Sequence, residues 1–109
     1  MKISGRTKVC ALIGDPVEHS LSPSIQNAAF QHLYLDYVYL AFTVREKNLE
    51  NAILGSRNLG LQGLNVTMPH KTDVVRYLDQ LDQTARKVGS VNTILNQNGK
   101  MIGYTTDGI

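Results

Sequence analysis

"KVCALIGDPVEHSLSPSIQNAAFQHLYLDYVYLAFTV", residues 8–44, is the stretch that decides the class of fold. It begins with a short apolar run that ends in glycine, which predicts a buried strand. Residues 21–35 predict a helix, with Ser22 as a natural N-cap and Pro23 suited to the first helical position. Residues 36–44 are β-branched and aromatic, which favours a second strand. A strand, a helix and a strand in this order predict a parallel pair joined by a crossover helix.

The rest of the chain continues the same alternation. Apolar residues at helical spacing predict further helices, and the apolar face of the first one consists of Ile25, Ala28, Ala29 and Leu33. Asn98-Gly99 between two short apolar runs is a strong hairpin signal. The remaining helices are predicted over residues 46–60, 71–81 and 83–89, and the remaining strands over residues 61–68, 90–96 and 100–106.

This order predicts an α/β fold with an open, mostly parallel sheet in three layers, helices on both faces and a C-terminal antiparallel hairpin. The 109 residues suffice for one domain with a real core, so we expect a single domain over residues 1–109. In open sheets of this kind, ligands bind beyond the carboxyl ends of the strands.

Composition excludes several classes of function. The net charge is only +2 and the 11 basic residues are scattered, which argues against nucleic acid as a partner. The one cysteine, Cys10, cannot form a disulfide within the chain, and it is read as a small buried residue. The apolar run near the N-terminus is too short for a signal peptide or a membrane span. We therefore expect a cytoplasmic protein that does not bind membranes.

Polar residues cluster where the predicted strands end. Ser20 and Ser22 directly precede a helix N-terminus, where free N–H groups and the helix dipole suit a carboxylate or phosphate. Taken alone, however, they are more simply a loop residue and a cap. Asn65 and Thr67 end a predicted buried strand, where side chains of these types need hydrogen-bond partners.

Three more positions belong to the same predicted edge. Lys71 follows Pro69 at a predicted helix start, where a positive charge is slightly unfavourable because of the helix dipole. This mild violation makes a functional role for Lys71 about as well supported as an ordinary surface position. Asn92 lies near a strand end, and Asp107 precedes a glycine, which is most often a turn position. The histidines His19, His32 and His70 show no metal-ligand spacing, so no metal site is expected.

Four motifs together resemble the substrate-binding half of the shikimate dehydrogenase family: GDPVEHSLSPSIQNAAF, GLNVTMPHK, GSVNTI and GYTTDG. The resemblance covers nearly the whole chain, in the family's order and spacing. It implies that Ser20 and Ser22 hold the substrate carboxylate. It also implies that the ring hydroxyls are bound by Asn65, Thr67, Lys71, Asn92 and Asp107.

The resemblance further implies a catalytic role for Lys71, with Asp107 as its partner. In the family, NADPH reduces 3-dehydroshikimate reversibly to shikimate, a step of aromatic amino-acid (chorismate) biosynthesis. Two positions depart from the family pattern, because Gln26 stands where His is usual and Thr105 where Asn is usual. Thr105 adjoins the Asp107 segment and could alter the geometry of the site.

The family's NADP-binding domain is a Rossmann fold with a glycine-rich turn, and no two glycines of this chain are separated by a single residue. We therefore expect the chain to end at the hinge before that domain, to bind no cofactor and to be inactive alone. A helix from the C-terminal end of the family's full-length protein packs back onto this domain. Without that helix, we expect an exposed apolar patch and a homodimer.

Three other interpretations stay open at this point. A quinate/shikimate dehydrogenase that uses NAD would differ mainly in the cofactor half, which these residues do not include. A standalone module that binds a hydroxy acid without chemistry would need the same polar loops. An α/β interaction domain would need none of them, and it leaves their co-occurrence at one sheet edge unexplained.

Overall fold

The structure, a computed structural model, describes residues 2–106. Two short 3-10 segments, Glu46–Asn48 and Asp73–Tyr77, supplement the helices and strands. The helices are α1 (Ser22–His32), α2 (Leu49–Leu59) and α3 (Gln83–Val88). The strands are β1 (Lys8–Gly14), β2 (Tyr37–Thr43), β3 (Gly63–Val66), β4 (Gln80–Leu81), β5 (Thr93–Gln97) and β6 (Lys100–Tyr104).

The six strands form one mixed sheet in the order β2-β1-β3-β5-β6-β4. β1 pairs in parallel with β2 and β3, and β4 pairs in parallel with β6. β5 runs antiparallel to both β3 and β6. The predicted class is therefore confirmed: a mostly parallel α/β sheet with an antiparallel hairpin at its end. Within residues 2–106, no helix is both long and apolar enough to cross a membrane.

The two faces of the sheet are covered unequally. On one face, Ala11 and Ile13 of β1 pack with α2, α3 and the 3-10 segment Asp73–Tyr77 in the larger cluster of buried residues. On the other face, Leu12 and Tyr39 pack with α1 in a smaller cluster. Alternation along the strands sends neighbouring residues to opposite faces, so the three predicted layers are present.

The face that α1 turns toward the sheet differs from the prediction. The predicted apolar stripe is exposed to solvent, with Ile25 at 63% and Leu33 at 62% exposure. Asn27 lies on the sheet side instead, and its amide makes two 2.8 Å hydrogen bonds with the backbone N–H and C=O of Tyr39. Since β2 is an edge strand with one unpaired side, these bonds satisfy backbone groups that the sheet leaves open, which outweighs the apolar stripe.

The predicted helix over residues 71–81 was wrong. Only Asp73–Tyr77 is helical, as a 3-10 segment, and the chain then extends so that β4 can pair with β6. Asp79 explains the change, because its backbone N–H donates to the Met101 carbonyl and its carboxylate accepts from the Met101 N–H. Val74 is nevertheless buried in the core, and Val75 and Leu78 pack against it, so the apolar spacing of this stretch predicts burial but not the element type.

The predicted hairpin between β5 and β6 is confirmed. Asn98 and Gly99 both have positive φ, 54° and 91°, as a tight hairpin turn with two left-handed central residues requires. The predicted helix ends at Gly60 and Gly89 are confirmed as well, because both glycines close their helices in the left-handed conformation.

Candidate functional site

The antiparallel pairing of β3 with β5 determines where the polar residues meet. Asn65 lies opposite Thr93, so the end of β3 adjoins the beginning of β5. Asn92 just precedes β5, and its backbone carbonyl accepts the N–H of Val66 at 2.9 Å. Thr106 follows β6, the next strand across, and reaches the same edge. The sheet therefore brings together polar residues that are far apart in the sequence.

A chain of hydrogen bonds links these side chains. The Tyr39 hydroxyl donates to Asn65 Oδ1 at 2.8 Å, and Asn65 Nδ2 makes longer contacts of 3.4 Å to Thr93 Oγ1 and 3.5 Å to the Asn92 carbonyl. Thr93 Oγ1 then donates to Asn92 Oδ1 at 3.0 Å. Finally, Asn92 Nδ2 donates to Thr106 Oγ1 at 2.8 Å. Buried polar groups are costly without partners, so this chain makes the site compatible with the fold.

The network also fixes which way the Asn65 amide points. The Asn92 carbonyl can only accept a hydrogen bond, so it must face the NH₂ group of Asn65. Asn65 Oδ1 is thereby turned toward Tyr39, whose hydroxyl must be the donor. Burial raises the pKa of Tyr39 to about 12, with a smaller contribution from the nearby Cys10, so the hydroxyl keeps its proton at neutral pH.

A pocket of about 350 Å³ lies between the loop after β1 and the end of β3, and its residue Leu12 pairs in the sheet with Asn65 of the network. It is lined by Ser20, Ser22 and Thr67, three of the residues expected to bind a ligand, together with His19 of the same loop. Its apolar lining is Leu12, Pro16 and Val17. Three hydroxyl groups over an apolar floor suit a small, polar, oxygen-rich ligand.

The beginning of α1 differs from the predicted cap. Leu21, not Ser22, occupies the N-cap position and makes no side-chain cap hydrogen bond. Ser22 is the first helical residue, and its backbone N–H donates to Ser20 Oγ at 3.1 Å. Pro23 is therefore the second helical residue and not the first, but it still lies within the first turn. Ser20 therefore takes over part of the capping role, and both hydroxyls stay on the pocket wall.

Lys71 is half-buried and directly follows the turn over residues 68–70. Its backbone carbonyl accepts the Val91 N–H at 2.8 Å, which ties it to the segment that leads into Asn92. The preceding His70 is fully buried, and its Nε2 contacts the Val44 carbonyl, while no partner for Nδ1 lies among residues 2–106. Since the segment after Lys71 is not an α-helix, the expected conflict with a helix dipole does not arise.

An open groove of about 290 Å³ continues from the network across the same face of the sheet. It lies between α1, which contributes Gln26 and Phe30, and the strands β3, β5 and β6. Leu95 on its floor is 38% exposed, and Cys10, whose thiol pKa burial raises, lies at its side. Among the described residues, α1 is the helix packed against this face, and it covers only β1 and β2 closely.

The structure thus brings together most of the predicted site residues. Asn65 and Asn92 belong to the hydrogen-bond network, while Ser20, Ser22 and Thr67 line the pocket. Asp107 lies outside the described residues. Thr105, one of the two departures from the family pattern, is only 5% exposed. Among residues 2–106, no three His, Cys, Asp or Glu side chains are grouped to hold a metal ion.

Sequence reasoning missed Tyr39. A tyrosine in the middle of a strand reads as core, and Tyr39 is indeed only 3% exposed. The signal was its hydroxyl, because a buried tyrosine normally has a hydrogen-bond partner. That requirement pointed to a polar group within the sheet, but only the strand order identifies it as Asn65.

Comparisons with known proteins show the family to which the chain belongs. A family model described as the shikimate dehydrogenase substrate binding domain matches residues 12–94. The curated "Shikimate dehydrogenase (NADP(+))" of Desulforamulus reducens is 52% identical over 107 residues, which are 98% of this chain and 37% of that protein. The chain therefore spans little more than a third of the length of the curated relatives it matches.

Solved structures of shikimate dehydrogenases superpose closely on this chain. A shikimate dehydrogenase crystallised with NADP+ superposes with a TM-score of 0.95 at 52% identity, over 98% of this chain and 37% of that one. The shikimate 5-dehydrogenase of Listeria monocytogenes, crystallised with shikimate and NAD, gives a TM-score of 0.94 at 48% identity, over the same shares of the two chains.

The burial of Tyr39 predicts a loss of stability at high pH. The unfolded phenol ionises near pH 10, whereas the folded one keeps its proton up to about 12. The neutral Tyr39 hydroxyl therefore contributes fully to the free energy of unfolding below pH 10. This contribution is lost as the pH rises toward 12, by at most about 1.4 kcal/mol per pH unit. Urea unfolding at several pH values should show a steeper loss for the wild type than for Tyr39→Phe. Equal slopes for the two proteins would contradict the assigned burial of the hydroxyl.

Proposed function

This chain belongs to the family of shikimate dehydrogenase substrate-binding domains, and we propose that it binds shikimate and 3-dehydroshikimate for the enzyme that interconverts them. The observation that carries the proposal is that two sets of polar residues lie at one edge of the sheet. Ser20, Ser22 and Thr67 line one pocket, and Asn65, which pairs with Leu12 of that pocket in the sheet, is linked to Asn92 by a hydrogen bond.

The proposed ligand matches the two parts of the site. The carboxylate would lie at Ser20 and Ser22, near the N-terminus of α1, where hydroxyl donors and the helix dipole favour negative charge. The ring hydroxyls would then extend toward Thr67, Asn65 and Asn92. A ligand bound at both ends in this way would be held in one orientation, which is how binding energy contributes to catalysis.

Lys71 is the proposed proton donor and acceptor. Reduction of the carbonyl places negative charge on oxygen, and a protonated lysine within hydrogen-bond reach would supply the proton there. Asp107, which is proposed as its partner, lies outside the described residues. Support for Lys71 comes from its half-buried position and from the hydrogen bond that ties its backbone to Val91, next to Asn92.

Among residues 2–106, the turn that a nucleotide cofactor would need does not fit it. Gly14 is the glycine that ends β1, where a dinucleotide turn would begin, but a Cβ there would come within 2.3 Å of the Thr67 methyl. This glycine therefore permits packing against Thr67 and does not form an open cradle for phosphate. We propose that NADP, which supplies the hydride when bound, is held by residues beyond this chain.

Two alternatives to this function keep specific support. An enzyme of the same family that uses NAD and accepts quinate would need the same pocket, and the Listeria monocytogenes relative was crystallised with NAD. A standalone binding module would also need the pocket but no proton donor. Titration of the chain with shikimate, followed by NMR, separates both from an interaction domain, because only ligand binding shifts the resonances of these loops.

We further propose that the chain works in the cytoplasm and associates with itself. The thiol of Cys10 is free, as in a reducing compartment. Ile25 and Leu33 are exposed on α1, and Leu95 is exposed on the floor of the groove; exposed apolar surface favours association. The simplest assembly would be a symmetric dimer.

The role of Lys71 gives a kinetic prediction. In a full-length protein that contains this domain, Lys71→Ala should lower kcat by about 10²–10⁴-fold and change KM far less, because proton donation acts in the transition state. Lys47→Ala, at an exposed lysine outside the site, is the matched control and should be neutral. A kcat within a few-fold of wild type would refute the proton-donor role.

The serine pair gives a binding prediction. Replacing Ser20 and Ser22 with Ala should weaken shikimate binding by about 2–4 kcal/mol, since two hydrogen bonds to a charged acceptor are lost. An analogue without the carboxylate should lose much less. Ser24→Ala serves as the control, because Ser24 is exposed on the same helix. Isothermal titration with both ligands checks the result, and equal losses for the two ligands would mean that the serines do not contact the carboxylate.

Residues 1–109 by themselves should fold, bind shikimate weakly or not detectably, consume no NADPH with 3-dehydroshikimate and self-associate. Sedimentation at several concentrations measures the association. Ile25→Glu on α1 should weaken it, whereas Leu54→Glu on the opposite side of the sheet, also exposed, should not. A monomeric wild type would refute the proposed dimer, and steady NADPH consumption would refute the proposal that the cofactor is held elsewhere.

A further inference from the structure

The hydrogen-bond capacity of Asn65 is almost fully used within the protein. Both contacts of its NH₂ group are made inside the sheet, to Thr93 Oγ1 and to the Asn92 carbonyl. One side of Oδ1 accepts the Tyr39 hydroxyl. A carbonyl oxygen has two lone pairs, so what Asn65 can still offer a ligand is one acceptor site on Oδ1.

Tyr39 is the residue that holds Asn65 in this state. Its ring is 3% exposed and packs in the cluster with Leu12 and Val17. Its backbone is fixed on both sides, because β1 pairs with it in register and the Asn27 amide bonds its N–H and C=O at 2.8 Å. A hydroxyl held this rigidly, and protonated at neutral pH, keeps the oxygen of Asn65 turned toward β2 and the NH₂ group turned toward β5.

We propose that Tyr39 is a positioning residue that fixes the Asn65 amide as a hydrogen-bond acceptor for the ligand and, through Thr93, orients Asn92 as well. The inference rests on the proposed function and deepens it, because it specifies what Asn65 recognises. A group that donates a hydrogen bond, such as a ring hydroxyl, is accepted at this position. A ligand with only an acceptor there leaves two oxygen atoms facing each other and is rejected.

The positioning is tested first without a ligand. In ¹H–¹⁵N spectra of the chain, Tyr39→Phe keeps the ring but removes the donor, so the side-chain amide resonances of Asn65 and Asn92 should shift and broaden. Tyr37→Phe is the matched control, because it is the same change two residues away on β2, where the ring packs on Phe30. It should leave both amides unchanged.

A second variant removes the hydrogen-bond partner on the other side of the Asn65 amide. Thr93→Val keeps the side-chain shape and removes the hydroxyl that Asn65 Nδ2 contacts, so it should perturb the same two amides. This variant tests the link through Thr93, which the proposal requires, even if Tyr39→Phe does not fold. Unchanged Asn65 and Asn92 amide resonances in a folded Tyr39→Phe or Thr93→Val protein would overturn the proposal.

The effect on recognition is measured in a full-length protein that contains this domain. Tyr39→Phe should raise KM for shikimate about tenfold, as expected for the loss of one oriented hydrogen bond, and should lower kcat much less. In an Asn65→Ala background the same change should raise KM less than twofold, because the two residues act through one contact. An equal rise in both backgrounds would show a structural effect and overturn the proposal.

A failure of the proposed function can be distinguished from a failure of the positioning role of Tyr39. If the wild-type protein does not turn over shikimate, the proposed function fails, while the ligand-free amide spectra still decide the role of Tyr39. If shikimate is turned over and the amide resonances do not respond to Tyr39→Phe, the positioning role fails and the proposed function stands.

Discussion

The antiparallel pairing of β3 with β5 is the constraint on which the site depends. Had β5 joined the sheet in parallel, the Asn92–Thr93 pair at its beginning would lie at the opposite edge from the end of β3. Instead β5 runs antiparallel to β3, so that Thr93 lies opposite Asn65, and the hairpin then returns β6 along β5. This reversal brings the beginning of β5 and the ends of β3 and β6 together at one edge of the sheet.

The polar network at that edge also affects stability. Asn65 and Tyr39 place amide and hydroxyl groups in the interior, where an unpaired polar group costs about 1–3 kcal/mol. Each of these groups has a partner within the sheet, so the cost is offset as long as the network stays complete. The same pairing that makes the network compatible with a folded core also makes it rigid, and rigid donors and acceptors select ligands better than mobile ones.

The uneven coverage of the two faces follows from the same architecture. The face that carries α2 and α3 has the larger apolar cluster, with many nearly inaccessible side chains. The face that carries α1 has a small cluster, the hydroxyl-lined pocket and an open groove. The site therefore belongs to the less covered face, where a ligand can enter without opening the main core. The face that carries α2 and α3 thus supports the face that holds the site. This arrangement is common when functional loops are positioned by a rigid sheet.

The sequence by itself determined most of the alternating elements, the hairpin at Asn98-Gly99, the helix ends at Gly60 and Gly89, and the loop that holds Ser20. These features depend on local spacing, backbone preference and recognisable motifs, all of which a linear sequence carries. Only the tertiary structure decided that α1 turns Asn27 toward the sheet, that residues 78–81 extend into a strand, and that Tyr39 holds Asn65. In each case a hydrogen bond to a residue distant in the sequence outweighed the local pattern, and which distant residue is near is a property of the fold.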